Sequence, residues 1–307
     1  MRSALFKAAL GLLVLAVGIA LGAGPLQHSA RERDKELAAQ KAEVTRAERQ
    51  VRDLTRAGDF ASSYAQATAA TLVAGKLTGR TVALVRLPGA RQATVDAVRS
   101  LLGTAGATVT AEAAFAPQLA KASSRQLVEA LTSQMVTQTP NLGVPATAAG
   151  YERFGLLLAR AIGASGTTAA GTAYDQAAIG IVSGLETAGL VDVGRVGPRA
   201  SVAVVVAGPP AKDPQSAAAN AVPVTILRSF GSKVPTVLAG STAAAGNLGV
   251  LGALRADAAT ARSVSGVDSV QTPMGRVALV LALADRARGK VGQYGGVGEV
   301  TGPVPVS

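Results

Sequence analysis

The chain contains no cysteine and no tryptophan, one histidine (His28) and three methionines. Without cysteine there is no disulfide framework and no thiolate for metal binding or nucleophilic attack. The lone His28 lies ahead of the folded body, so a Ser-His-Asp or Cys-His mechanism there would have no imidazole. No G-x-S-x-G elbow occurs. Aromatic residues are 3% of the sequence, so the core must be built from Ala, Val, Leu and Ile at close spacing. The same scarcity, with Lys and Arg spread along the chain, argues against nucleic-acid binding, which needs clustered cations and stacking aromatics.

The net charge is +11. The first 56 residues hold 10 basic and 6 acidic groups, and the remainder 20 and 13. An excess spread in this way fits attraction to anionic lipid or an anionic envelope polymer, and fits equally a protein that simply uses much arginine. Of the 13 acidic residues beyond residue 56, none sits in a local motif that suggests acid–base chemistry. The expectation is a non-enzyme without a cofactor. Soft copper ligation wants Cys, Met or His. Met135 and Met274 stand far apart in sequence and read as gap-filling residues, so the metal ligands remain unassigned.

What is present begins at the head. Arg2 and Lys7 precede an uncharged run of 19 residues, Ala8–Leu26, close to the ~20 that span a bilayer. A cleaved signal peptide and an uncleaved anchor both fit. The run exceeds a usual signal h-region, which favours the anchor. The basic start favours a cytoplasmic N-terminus and an extracytoplasmic body. From Arg31 to Arg56 there are 8 basic and 6 acidic residues with no Gly or Pro. Leu37, Val44 and Val51 recur every seven residues, with Gln40, Ala47 and Leu54 at the companion positions. This predicts a helical stalk, either solvated alone or paired as a short parallel coiled coil that would make the protein a homo-oligomer. Gly58 is the expected stop.

The body alternates strands and helices. Thr81–Leu87 reads as a buried strand, Arg91–Gly103 as a helix and Ala107–Ala111 as a second strand, which together make a βαβ unit. Helices are predicted over Ser124–Gln138, Tyr151–Ile162, Thr172–Ala188, Ala217–Phe230 and Asp257–Val264. Strands are predicted over Leu190–Val193, Ser201–Ala207, Thr236–Gly240, Val250–Leu254 and Arg276–Ala284. The fold class is α/β: an open, mostly parallel, Rossmann-like sheet with helices on both faces. The turn after the first strand reads Leu87-Pro88-Gly89-Ala90-Arg91, with neither G-x-G-x-x-G nor a P-loop. The domains expected are a transmembrane anchor over 1–28, a stalk over 29–58, an extracytoplasmic α/β domain over 59–288 (one unit or two similar halves), and a Gly-rich tail over 289–307.

Several local words carry a resemblance. Ala57-Gly58-Asp59-Phe60 follows the charged helix, and Leu72–Leu87 (LVAGKLTGRTVALVRL) leads into the first strand. Arg276–Ala284 is followed by Val291-Gly292-Gln293-Tyr294-Gly295. In these words and in their order, over nearly its whole length, the chain resembles a family of actinobacterial envelope proteins named for the mycobacterial copper transport protein MctB. The resemblance implies a role in keeping intracellular copper low, as an outer-membrane channel or exporter, with copper as transported ion rather than cofactor. It points to Gly292, Gln293, Tyr294 and Gly295 as a family-like loop, without assigning them a role. One apolar helix cannot enclose a pore, and an outer-membrane barrel needs many ~10-residue alternating strands. Conduction would therefore require an oligomer or a larger assembly. The other reading is a non-transport scaffold, a tethered α/β module that binds another envelope protein or polymer.

Overall fold

A computed structural model describes residues 30–139, 141–164 and 170–306. The apolar run Ala8–Leu26, the expected anchor over 1–28 and His28 lie outside the described residues. Among those described, no helix is long and apolar enough to cross a membrane. The chain divides into two compact units, Met1–Phe60 and Ala61–Ser307.

The described part of the first unit is helical. Helix α1 runs Ala30–Val73. Gly58, the expected stop, lies inside it. A helical glycine costs only about 1 kcal/mol relative to alanine, and an Ala-rich stretch follows at once. Leu37, Val44, Val51 and Leu54 are all exposed. The ion pairs Arg52–Glu48 (3.9 Å) and Arg56–Asp53 (3.8 Å) are solvent-exposed too, and pairs of that kind contribute little. In the second unit the final turns of α1 bury Ala65, Ala69 and Val73, a spacing of four that keeps one face inward.

The second unit is a seven-stranded sheet of order β3-β2-β1-β4-β5-β6-β7. The strands are β1 (Thr81–Arg86), β2 (Thr108–Phe115), β3 (Val191–Val196), β4 (Val202–Val206), β5 (Thr236–Ala239), β6 (Val264–Val267) and β7 (Gln293–Tyr294). All neighbours pair parallel except β2 and β3. A parallel sheet must be covered on both faces, and alternation along each strand shows how. Ala83, Val85, Ala203, Val205 and Leu238 point into one core, with α3 (Arg125–Gln138), α4 (Gly150–Ile162), α5 (Gln176–Thr187), α6 (Ala221–Gly231) and α7 (Val250–Ala256). Val82, Leu84, Val202, Val204, Val206, Val237 and Ala239 point into the other, with α2 (Gln92–Thr104), α8 (Pro273–Ala287) and the end of α1. The expected α/β class and mostly parallel sheet are thus present, as three layers.

Three expectations fail in the C-terminal half. Arg276–Ala284, read as a strand, lies within α8. Its apolar residues are buried nearly all round, and periodicity cannot separate a buried strand from a buried helix. The Thr272 hydroxyl accepts from the Gly275 amide and Pro273 sits in the first turn, a helix-start signal. Val250–Leu254, also read as a strand, is α7, which buries Val250, Leu251 and Leu254 on one face. Asp257–Val264, read as one helix, is instead a single turn over Ala258–Ala261 capped by Asp257, and its last residue opens β6. That strand escaped notice because Ser265 and Gly266 interrupt an already short apolar run.

One buried cation organises the helical side. Arg199 is fully buried. Its Nη1 donates to the Arg160 carbonyl and, at 3.0 Å, to that of Ala161. Both belong to the last turn of α4, whose carbonyls lack helical partners and favour a cation. Nη2 lies 3.1 Å from Asp175 Oδ2, and the guanidinium carbon sits 5.7 Å from the Tyr174 ring centroid. Asp175 also caps α5 by accepting from Ala178 N at 2.8 Å. The hydrogen bond from Arg160, aided by that cap and by the Arg160 and Arg199 charges, holds the Asp175 carboxyl at about 2. Burial pushes the Tyr174 hydroxyl up to about 12.

Arg199→Ala should destabilise the fold by on the order of 3 kcal/mol in denaturant unfolding, through the void and the orphaned carbonyls. Because the Asp175 carboxyl is depressed on folding, its contribution is complete above its ordinary value of 3.8 and is lost as pH falls toward about 2. Asp175→Asn should therefore flatten the acid limb of the stability profile over that window.

Candidate functional site

In open α/β sheets, ligands sit beyond the carboxyl ends of the strands where the strand order reverses. Here the order reverses between β1 and β4, since β1 also pairs with β2 while β4 pairs with β5. A cleft of about 480 Å³ lies at that place. It is walled by the loops after β1 (Gly89, Arg91), β4 (Gly208–Pro210) and β5 (Ser241–Ala243), together with Val270 and Gln271 beyond β6. The first two loops press together: a Cβ on Gly208 would collide with the Pro88 carbonyl, and one on Gly89 (φ +78°) would lie 2.8 Å from Pro209 Cδ. Arg91 is exposed and makes no ion pair among the described residues. Among the described residues it is the only charged one in the lining.

A buried ion pair lies behind this cleft. Asp268, immediately after β6, is fully buried, and Arg255 of α7 nearly so, with Nη1 3.2 Å from Asp268 Oδ2. The carboxylate also accepts from Gly296 N (3.1 Å), Val297 N (3.2 Å) and Ser269 Oγ (2.7 Å). Arg255 donates onward to the carbonyls of Val297 (2.6 Å) and Tyr294 (2.9 Å). Burial pushes the Arg255 guanidinium down from its ordinary value, and the Asp268 charge opposes that shift. A buried carboxylate with four donors is well compensated, as buried charges must be.

The pair connects to the cleft through hydroxyls. Ser269 spends its one proton on Asp268, so in the 3.2 Å contact between Thr242 Oγ1 and Ser269 Oγ it is Thr242 that donates. Thr242 in turn accepts from Gln271 Nε2 at 2.7 Å. The result is a directed chain, Gln271 to Thr242 to Ser269 to Asp268. Ser269 has φ +61°, a conformation non-glycine residues seldom adopt and one that clusters at functional sites.

None of the four residues singled out from the sequence lines the cleft; Tyr294 and Gly295 lie against the pair, and Gly292 and Gln293 tie β7 to β6 and the segment before it. Gln293 and Tyr294 are β7, in register with Gly266 and Val267. Gln293 Nε2 donates to the carbonyls of Ala261 (3.2 Å) and Val264 (3.0 Å). Tyr294 is buried, and its carbonyl accepts from Arg255 and from Asp268 N. Gly295 has φ +133°, and a Cβ there would strike the Asp268 carboxylate. Gly292 donates its amide to Ser265 Oγ at 3.2 Å. Sequence reasoning missed Asp268, Arg255, Ser269, Thr242 and Gln271. The signal available was Asp-Ser directly after Val267, hidden because β6 itself was not recognised. Among the described residues, no group of three or more His, Cys, Asp or Glu could hold a metal ion.

Asp268→Asn should cost about 2–4 kcal/mol in unfolding, because Arg255 keeps a buried charge without its counter-ion. Hydrogen exchange should speed up selectively at the Gly296 and Val297 amides.

Against known proteins, residues 8–305 match the family described as "Copper transport outer membrane protein, MctB". Two relatives, each named "Copper transporter MctB", come from Mycobacterium bovis and Mycobacterium tuberculosis. Each is 27% identical over 296 residues, covering 92% of this chain and 91% of the relative. With nearly its full length inside the match, the chain belongs to the MctB family of copper transport proteins.

Proposed function

We propose that this chain serves copper homeostasis as a non-catalytic cell-envelope protein, tethered by its N-terminal apolar run, self-associated through α1, and contributing to copper efflux. The observation that carries the reading is the family match over residues 8–305, which includes the whole apolar run and all of the stalk. The sequence has too few soft side chains to cage copper within one chain: no Cys, one His and three Met. Handling of the ion then falls to an assembly of copies or to a larger complex.

Self-association finds its support in α1. Leu37, Val44, Val51 and Leu54 form a heptad stripe that is exposed in the single chain. The occupant that fits is a second copy in parallel, since tethering sets both copies on the same side of a membrane. In that register Glu36 would face Lys41 of the second copy, while Glu43 would oppose Glu48, so the association would be modest.

Cell-associated copper, measured by elemental analysis under copper load, should rise in a deletion strain and return on complementation. Unchanged copper would remove the transport reading and favour the scaffold. The absence of native cysteine makes Val44→Cys a clean reporter of the stalk: it should cross-link to a disulfide-bonded dimer under mild oxidation, whereas Arg46→Cys, off the stripe, should not.

A further inference from the structure

We propose that the cleft at the carboxyl ends of β1, β4 and β5 is a binding site for a small organic oxyanion, a carboxylate or a phosphate monoester. Its volume, about 480 Å³, lies within the usual range for small-molecule sites, ~300–1,000 Å³. It occupies the place in an open α/β sheet where ligands collect.

The lining decides the sign of the ligand. Among the described residues Arg91 is its sole charge, and no carboxylate lines it. A guanidinium offers five donors and no acceptor, in a fork that matches carboxylate and phosphate. Ser241 Oγ already accepts from Ala244 N at 3.2 Å, which leaves its proton for an incoming acceptor. Thr94 adds a second hydroxyl to the wall. Gln271 uses one Nε2 hydrogen on Thr242 and retains another. The acidic group nearest in the hydrogen-bond chain, Asp268, is covered and neutralised by Arg255. Donors therefore face the cleft while the acceptor charge is turned away. The remaining wall, Val206, Ala207, Pro209 and Val270, is apolar, so the oxyanion has room to carry a short carbon body.

This reading stands apart from copper: it concerns no side chain offered as a copper ligand. The chain anchored at Asp268 fixes Thr242 and Gln271, and the contact between the Gly89 and Gly208 loops fixes the opposite wall. A preformed site needs little ordering on binding.

The test is isothermal titration of the full-length chain in detergent at constant ionic strength, with citrate as the carboxylate probe and glycerol 3-phosphate as the phosphate probe. At least one should give saturable heat near one ligand per chain, and which one does so identifies the oxyanion class. Arg91→Gln, an exposed substitution that leaves the core untouched, should weaken that binding roughly tenfold or more. Ser241→Ala should weaken it by less. Absence of saturable heat with both probes, or equal affinity in Arg91→Gln, would overturn the assignment.

Discussion

A parallel sheet without disulfides has to be buried on both faces, and the rest of this structure follows from meeting that need with small aliphatic side chains. Val and Ala at alternating positions of β1, β4 and β5 feed two separate cores. Five helices close one side, while α2, α8 and the end of α1 close the other. Small side chains bring the layers together, and close packing leaves the strand ends as the place where loops can open a cleft. The edges are handled differently. At one end β3 turns antiparallel, and at the other the short β7 is held by the buried Arg255–Asp268 pair. That pair makes the Gly-rich C-terminal segment part of the sheet.

The first half of the body was legible because its signals agree. Thr81–Arg86 is apolar and β-branched, a Pro-Gly turn follows, and Val95, Val98 and Leu102 mark the inner face of α2. In the C-terminal half β4, β5 and α6 were legible too, but the elements beyond β5 were not, for a physical reason. In α8 an apolar run is buried nearly all round, so its helical period is invisible, and only the Thr272-Pro273 start distinguishes it. In β6 the strand is four residues long and half Ser and Gly. The site suffered with it, since Asp268 and Ser269 take their meaning from following β6. Gln293 and Tyr294 were picked out by resemblance; the Gln293 side chain bonds the carbonyls of Ala261 and Val264, and the Tyr294 carbonyl accepts from Arg255 and the Asp268 amide.

The family's description centres on copper, yet these residues make a poor resident copper site. Hard and charged groups dominate: Arg255 and Asp268 pair with each other, and the cleft presents donors. What the described residues present is an exposed stripe of Leu37, Val44, Val51 and Leu54, a packed α/β body, and a polar relay that ties the terminal segment to the rim of the cleft.

The most direct measurement is the copper(I) retained by the full-length protein in detergent, counted by elemental analysis after gel filtration against a competing high-affinity chelator. A protein that handles copper without a cage in each chain should emerge with essentially none. One chelator-resistant copper per chain would contradict that and would require soft ligands that the described fold does not bring together.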